Sequence, residues 1–347
     1  MAQRDPSLAS VAKNNRDAAN DLAIKAGRKS TLRLLESAAA DLNRRLAGVG
    51  STDPDDATFT VVQMEATRRQ LVKVIKGLNG GLKGVLLDQA DTAADLATSD
   101  MLDYLGRANA KFAGVSSGLA LPEASMFDRV KTGVRSSVLN RIASYTPGDD
   151  ESAGATGKPG ILQRYGSNVI DHFEQTMAVG LLAQKPWAEM RADIVGQSPF
   201  LQQAPAFWAE RLVRTETMGA YGRAAFESIR SADDELGDMC KILAATFDDR
   251  TGWDSYQVHG QIRLPDQAFE WMGGSYQNPP NRPNDREIVV PHRISWPIPD
   301  YLTWRTDGEV MARYREQRKK GSPGARPLMT TVPLDKFGKE GAEKSSG

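Results

Sequence analysis

Lys241–Phe247 reads KILAATF, and Asp248-Asp249 follows at once. The run is short, rich in small and apolar residues, and bounded by a turn signal. It reads as a strand, although periodicity alone does not separate so short an apolar run from helix. Gln261–Leu264 and Glu287–Val290 are two further short strand candidates. From Pro265 to Pro299 the density of Pro, Gly, Asn and Trp rules out a long helix. The expected fold class is therefore α+β. A helix-rich N-terminal part precedes a small, irregular, β-containing C-terminal domain and an extended C-terminal tail.

Upstream of this point the chain has helical spacing. Ser7–Leu46 is Ala-rich and polar, with Leu32, Leu34, Leu35, Leu42 and Leu46 forming one narrow stripe. Gly48–Asp56, GVGSTDPDD, is a break by composition. Val61, Met64, Leu71, Val72 and Ile75 resume the spacing. Gly80-Gly81 is expected to interrupt it, and Leu82, Val85, Leu86, Ala90, Ala93, Leu96 and Ala97 continue it. A narrow stripe on long polar helices suits packing against partner helices, in this chain or another, and equally suits an ordinary bundle. Thr146–Gly160, TPGDDESAGATGKPG, holds no large apolar residue and is expected to be a linker or exposed loop. Leu162, Tyr165, Val169, Phe173 and Met177 mark a further amphipathic helix. Phe207, Arg211, Arg214, Met218, Tyr221 and Ala225 mark the seam of the next. One last helix is expected within 303–320. The division read from these signals is 1–145 helical, 146–160 linker, 161–300 a domain with its core motifs at 212–291, and 301–347 a basic, partly disordered tail.

Composition bounds the partners. The 347 residues carry 44 basic and 44 acidic side chains, so no global field draws the chain to nucleic acid or an acidic membrane. Only 301–347 is biased, with ten Lys/Arg against six Asp/Glu, a net +4. One cysteine, Cys240, excludes an internal disulfide and is expected to be a small buried hydrophobe. MAQRDPSLASVAKNN has no apolar core of a secretory signal, and the most apolar window, 177–183, is far shorter than the roughly 20 residues of a membrane helix. A soluble protein without membrane contact is expected.

Two linked segments carry a resemblance. Val213–Arg230, VRTETMGAYGRAAFESIR, is followed by KILAATFDDRTGWDSYQVHGQI and then by PPNRPNDREIVVP at 279–291. Together they resemble the phage head-morphogenesis family typified by the F protein of phage Mu. Arg214, Thr215, Glu216, Ala220 and Tyr221 match the family's opening helix, and Gly222 stands where Asn is usual. Asp248, Arg250 and Thr251 match its Asp-x-Arg-Thr. The likeness covers about 212–291.

Many members of that family then carry two Cys pairs and a His. Here the first pair falls on Gly252 and Ser255, the second on Asp285 and Glu287, and the His on Arg282. Tetrahedral zinc takes Cys and His ligands; Gly offers none, and Ser is a poor one for a borderline-soft ion. The resemblance therefore implies a zinc clasp whose ligands have been lost. Asp285 and Glu287, with Asp254, could hold a hard cation. The alternative, which we prefer, is a metal-free domain in which Asp285 and Glu287 pair with Arg282, Arg286 or Arg250. No cofactor is expected.

Chemistry is thinly represented elsewhere. His172 lies beside Phe173 on an apolar helix side and suits a partly buried imidazole. His259 precedes Gly260 in a turn, and His292 has no motif support. Arg214, Glu216, Asp249 and Arg250 are expected to form a buried polar network rather than a catalytic one, since residues two apart on a helix do not face each other. No phosphate-binding glycine loop and no nucleophile elbow is present. Trp253, Trp271, Trp296 and Trp304 could be interface anchors or core. The run Arg313, Arg315, Arg318, Lys319, Lys320 could touch DNA phosphates or be a solvated helix end.

The resemblance implies a non-enzymatic minor capsid or head-morphogenesis protein of a tailed phage or prophage. It would associate with the portal protein, or with the major capsid or scaffolding protein, during head assembly. It would lie in the virion, and in the host cytoplasm before that. An internal protein ejected with the DNA is the alternative. An ADP-ribosyltransferase-like or metal-dependent enzyme is the more distant one.

Overall fold

The computed structural model describes residues 8–49, 59–112, 127–143, 161–196, 203–245, 252–271, 274–282, 285–299 and 302. The fold is α+β, helix-rich, with a small antiparallel sheet towards the C-terminal end. Helix α1 (Leu8–Asp21) passes through a π-helical turn, Leu22–Ala26, into α2 (Gly27–Ala47). Then come α3 (Val61–Phe112), α4 (Phe127–Ala143), α5 (Ile161–Leu182), α6 (Trp187–Gly196) and α7 (Gln203–Leu236). Strand β1 (Met239–Ala244) precedes the short helix α8 (Trp253–Val258). It is followed by β2 (Ile262–Arg263), β3 (Phe269–Trp271), β4 (Gly274–Tyr276) and β5 (Ile288–Arg293).

The chain forms two compact units, each assembled from separated segments. One draws on Met1–Leu22, Ala90–Arg135 and Thr217–Gly347; the other on Ala23–Gln89 and Ser136–Glu216. The expected linker at 146–160 and the tail beyond 302 lie outside the described residues.

The second unit is all-helical. Leu35, Leu42 and Leu46 of α2 are buried, as are Leu71, Leu78 and Leu82 of α3 and Val169, Phe173 and Met177 of α5. Their three, four and seven spacing puts each set on one helix face. Gly80-Gly81 does not interrupt α3. The buried line runs on through Leu78, Leu82 and Leu86, and its burial outweighs the roughly 1 kcal/mol that each glycine costs a helix. Leu32 is 39% exposed and falls outside the α2 stripe expected for it. Phe207 and Arg211 are exposed too; the buried line of α7 enters through Ala209 and Val213 instead. The start of α3 is stapled to the α5–α6 turn. Phe59 donates its backbone N–H to the Lys185 carbonyl at 2.8 Å, and its ring stacks on Trp187 at 5.6 Å.

The first unit contains the sheet, ordered β2-β1-β5 and antiparallel throughout. Strand β1 is central and buried at every position, which explains why its sequence is apolar without alternation. It begins two residues earlier than expected, and β5 extends past Val290 to Arg293. Lys241 pairs with Arg263 on one side and Pro291 on the other. A separate hairpin, β3–β4, was not expected from sequence. Cys240 is buried as expected, and burial pushes its thiol up to about 12.

Candidate functional site

The two segments that carry the resemblance meet in the first unit. Gly252 caps α8, and Asp254 and Ser255 lie in its first turn. Opposite them runs the loop 277–287, between β4 and β5. A Cβ added at Gly252 would overlap the guanidinium of Arg282. The arginine therefore occupies the space where a side chain at 252 would lie. From there Nη1 pairs with Asp254 Oδ1 at 2.6 Å, and Nη2 donates to Ser255 Oγ at 3.1 Å.

The carboxylates of the loop close the cluster. Asn281 donates its backbone N–H to Asp285 Oδ2 at 3.1 Å and its side-chain amide to Asp254 Oδ2 at 3.1 Å. The backbone N–H of Arg286 reaches Asp285 Oδ1 at 2.9 Å. Glu287 is buried, accepts from the Tyr276 hydroxyl at 2.7 Å and lies beside Ser255. Burial raises the Glu287 carboxyl well above its ordinary range, and the Asp285 charge adds to this; Ser255 and Tyr276 oppose it. Burial also raises Asp285, against the Asn281 N–H and the Arg282 charge.

Gly252, Ser255 and Asp285 thus lie about the Arg282 guanidinium, and Glu287 joins the cluster through Ser255 and Tyr276. Arg282 pairs with Asp254, while Asp285 accepts two backbone N–H groups and Glu287 a tyrosine hydroxyl; Arg250 lies outside the described residues. The reason is geometric. The open space over Gly252 draws Arg282 towards α8, where Asp254 sits. The donor set does not suit zinc, because Gly252 supplies no ligand, the Ser255 hydroxyl already accepts from Arg282, and the remaining two are hard carboxylates. Among the described residues, no group of three or more His, Cys, Asp or Glu is placed to hold a metal ion.

Of the expected polar network, Arg214 and Glu216 fall within the described residues. Glu216 is 3% exposed and accepts from Arg141 of α4 at 2.9 Å, a partner the sequence did not suggest. Burial raises its carboxyl, opposed by Arg141 and Arg164. Arg214 is half-buried, and Asp249 and Arg250 lie outside the described residues. His172 is half-buried on α5. His259 is buried, and its Nδ1 accepts the Ala245 backbone N–H at 3.1 Å, which locks the α8–β2 turn onto β1. His292 packs edge-on against buried Trp296 at 5.7 Å, so this tryptophan belongs to the core. Trp271 is half-buried; the Trp304 position and the basic run at 313–320 lie outside the described residues.

Sequence reasoning missed a second polar centre. Lys241 is fully buried on β1. Its ammonium donates to the carbonyls of Pro265 (2.8 Å) and Gln277 (2.9 Å) and to Gln277 Oε1 (3.0 Å). The rings of Phe226 and Phe269 lie 4.7 and 5.1 Å away. A lysine inside an apolar run was the available signal. Burial lowers it to about 7, against the pull of Asp266. Further along β5, Ile288–Pro291 line a cleft with Asp100 and Tyr221 that has room for little more than a water molecule. Tyr221 donates to Asp100 there at 2.7 Å.

No helix among the described residues is long and apolar enough to cross a membrane. No family model, curated protein or solved structure matches the chain.

Proposed function

We propose that this chain is a structural protein of a tailed phage or prophage head: a minor capsid or head-morphogenesis protein acting without catalysis. Its partners are the portal protein, or the major capsid or scaffolding protein, and its place is the virion after assembly in the host cytoplasm. One observation supports this reading above the rest. The four positions that the resemblance assigns to two ligand pairs come from distant segments, yet they share one cluster: Gly252, Ser255 and Asp285 beside Arg282, and Glu287 beside Ser255. A chance likeness of short motifs would not require that convergence. The cluster has the character of a fastener. Arg282, Asp254, Ser255 and Asn281 bond to one another, and the cleft near β5 is too small for an organic substrate.

The deciding experiment is the composition of purified particles. The expected result is this chain in heads at fixed copy number, and its co-purification with the portal ring from assembly intermediates. Its absence from both would overturn the proposal.

A further inference from the structure

Helix α3 carries a face that its own fold does not explain. Between Ala66 and Leu87, every fully exposed residue is an arginine, a lysine or a glycine. Arg68 is tied to Glu174 of α5. Arg69, Lys73, Lys76 and Lys83 have no ion-pair partner among the described residues. At 100° per residue these four fall within about 80° of arc, and at 1.5 Å per residue they span about 21 Å along the axis. No acid lies on the helix between Ala66 and Leu87.

The glycines on this face are unforced from within. Gly81 faces α2, where an added Cβ would press on the side chain of Leu34. By contrast, a Cβ at Gly77, Gly80 or Gly84 would meet nothing within 4 Å. Glycine inside an exposed helix costs backbone entropy that alanine would avoid. What these positions gain is a bare helix surface between the cationic side chains, on which a large anionic partner can lie close.

The composition of the face selects the partner. A protein interface needs apolar or aromatic anchors, and none is exposed between Ala66 and Leu87, the nearest on the helix being Val62, seven residues before Arg69. Single-stranded nucleic acid is held by aromatic stacking, which this face also lacks. A line of cations without either suits the backbone of a duplex, whose binding is dominated by phosphate charge. We propose that the outer face of α3 from Arg69 to Gly84 binds the phosphodiester backbone of double-stranded DNA without sequence preference. This does not rest on the capsid reading: particle composition tests that reading, and DNA affinity tests this one.

The experiment is fluorescence anisotropy of the full chain with a labelled random-sequence duplex across a salt series. Wild-type protein binds at low salt, with affinity falling steeply as salt rises. The Lys73→Ala/Lys76→Ala/Lys83→Ala variant keeps its helical circular dichroism. It binds more weakly to all sequences alike, and its salt slope is reduced by about 3, one per phosphate contact. A second variant neutralises the basic run at 313–320. Should that variant lose binding while the triple-lysine variant keeps wild-type affinity and slope, the assignment to α3 is wrong. Absence of duplex binding by the wild type at low salt overturns it as well. So does displacement of the duplex by poly-L-glutamate as effectively as by unlabelled DNA, which would point to an acidic protein. The Gly77→Ala/Gly80→Ala/Gly84→Ala variant is expected to melt higher yet bind the duplex more weakly. Unchanged affinity there removes the role given to the glycines.

Discussion

Lys241 and Arg282 lie in the same compact unit, each surrounded by oxygen, but the oxygens differ in kind. Around Lys241 they belong to two backbone carbonyls and one amide, with two aromatic faces behind them. Around Arg282 they belong to an aspartate and a serine, with two more carboxyl groups close by. One cation is solvated by dipoles and the other by opposite charge. The first is fully buried; the second keeps a side chain 40% exposed to water. The contrast shows two ways for a small sheet domain to use an ionic group as a fastener, and they answer pH in opposite senses.

Burial lowers Lys241 from 10.5 to about 7. Between those values the unfolded chain holds a proton that the folded chain gives up. This contribution is present above 10.5 and lost as pH falls towards 7. Glu287 is raised above its ordinary 4.5 by burial and by Asp285. There the folded chain holds the extra proton. Its contribution is present below 4.5 and lost as pH rises through the raised value. Acid therefore favours the carboxylate cluster, and alkali favours the lysine cage.

Lys241→Met should break the cage and give the largest effect. It removes the donor shared among three acceptors, two of which the neutral amine can serve near pH 10, a loss of about 3 kcal/mol in urea unfolding. The loss should be smaller at pH 7, where the buried charge already burdens the wild type. A larger loss at pH 7 than at pH 10 would mean that rings and carbonyls favour the ammonium outright.

Arg282→Ala attacks the other centre. A fully buried pair broken on one side costs roughly 3–5 kcal/mol; with Arg282 part-exposed, about 2 kcal/mol is expected at pH 8. Denaturant titrations should show that cost shrinking in acid as Asp285, no longer opposed by the Arg282 charge, takes up its proton. A pH-independent loss would remove the electrostatic account. Glu287→Gln sharpens the same point. The amide oxygen can still accept from Tyr276 without a charge to bury, so melting should rise by a few degrees at pH 8 and remain unchanged at pH 4. Gly252→Ala should be the mildest, about 1 kcal/mol or less, because only the mobile tip of Arg282 has to yield. Made in the Arg282→Ala background it should cost nothing further, a non-additivity that a double-mutant cycle would read directly.

How far this was legible in sequence depended on the range of the determining contacts. All three sheet strands were visible at Lys241–Phe247, Gln261–Leu264 and Glu287–Val290, as short runs with apolar residues set between turn-rich segments. The β3–β4 hairpin was not, because Phe269–Trp271 and Gly274–Tyr276 are only three residues each and mix aromatic, acidic and small side chains. The continuity of α3 through Gly80-Gly81 was misjudged from local propensity, which long burial overrides. Ser255, Asp285, Glu287 and Arg282 were found through ordered motifs. Tyr276 and Asn281 were not, because no local pattern marks a residue whose role is to reach across to another segment. Arg141 under Glu216 was missed for the same reason.

One detail of the loop at 278–282 extends past stability. Gly222 on α7 faces the Pro279 carbonyl so closely that any Cβ would overlap it, and Gly252 faces Arg282 in the same way. Both glycines are points where the sequence departs from the pattern it resembles, and both seat the same short loop. They thus act as one requirement of that loop rather than two separate ones. In a set of diverging sequences, a side chain larger than hydrogen at 222 should travel with a changed loop, and an arginine at 282 should travel with a glycine at 252. Descent, in other words, ought to have preserved the loop and its two bare seats together or discarded them together.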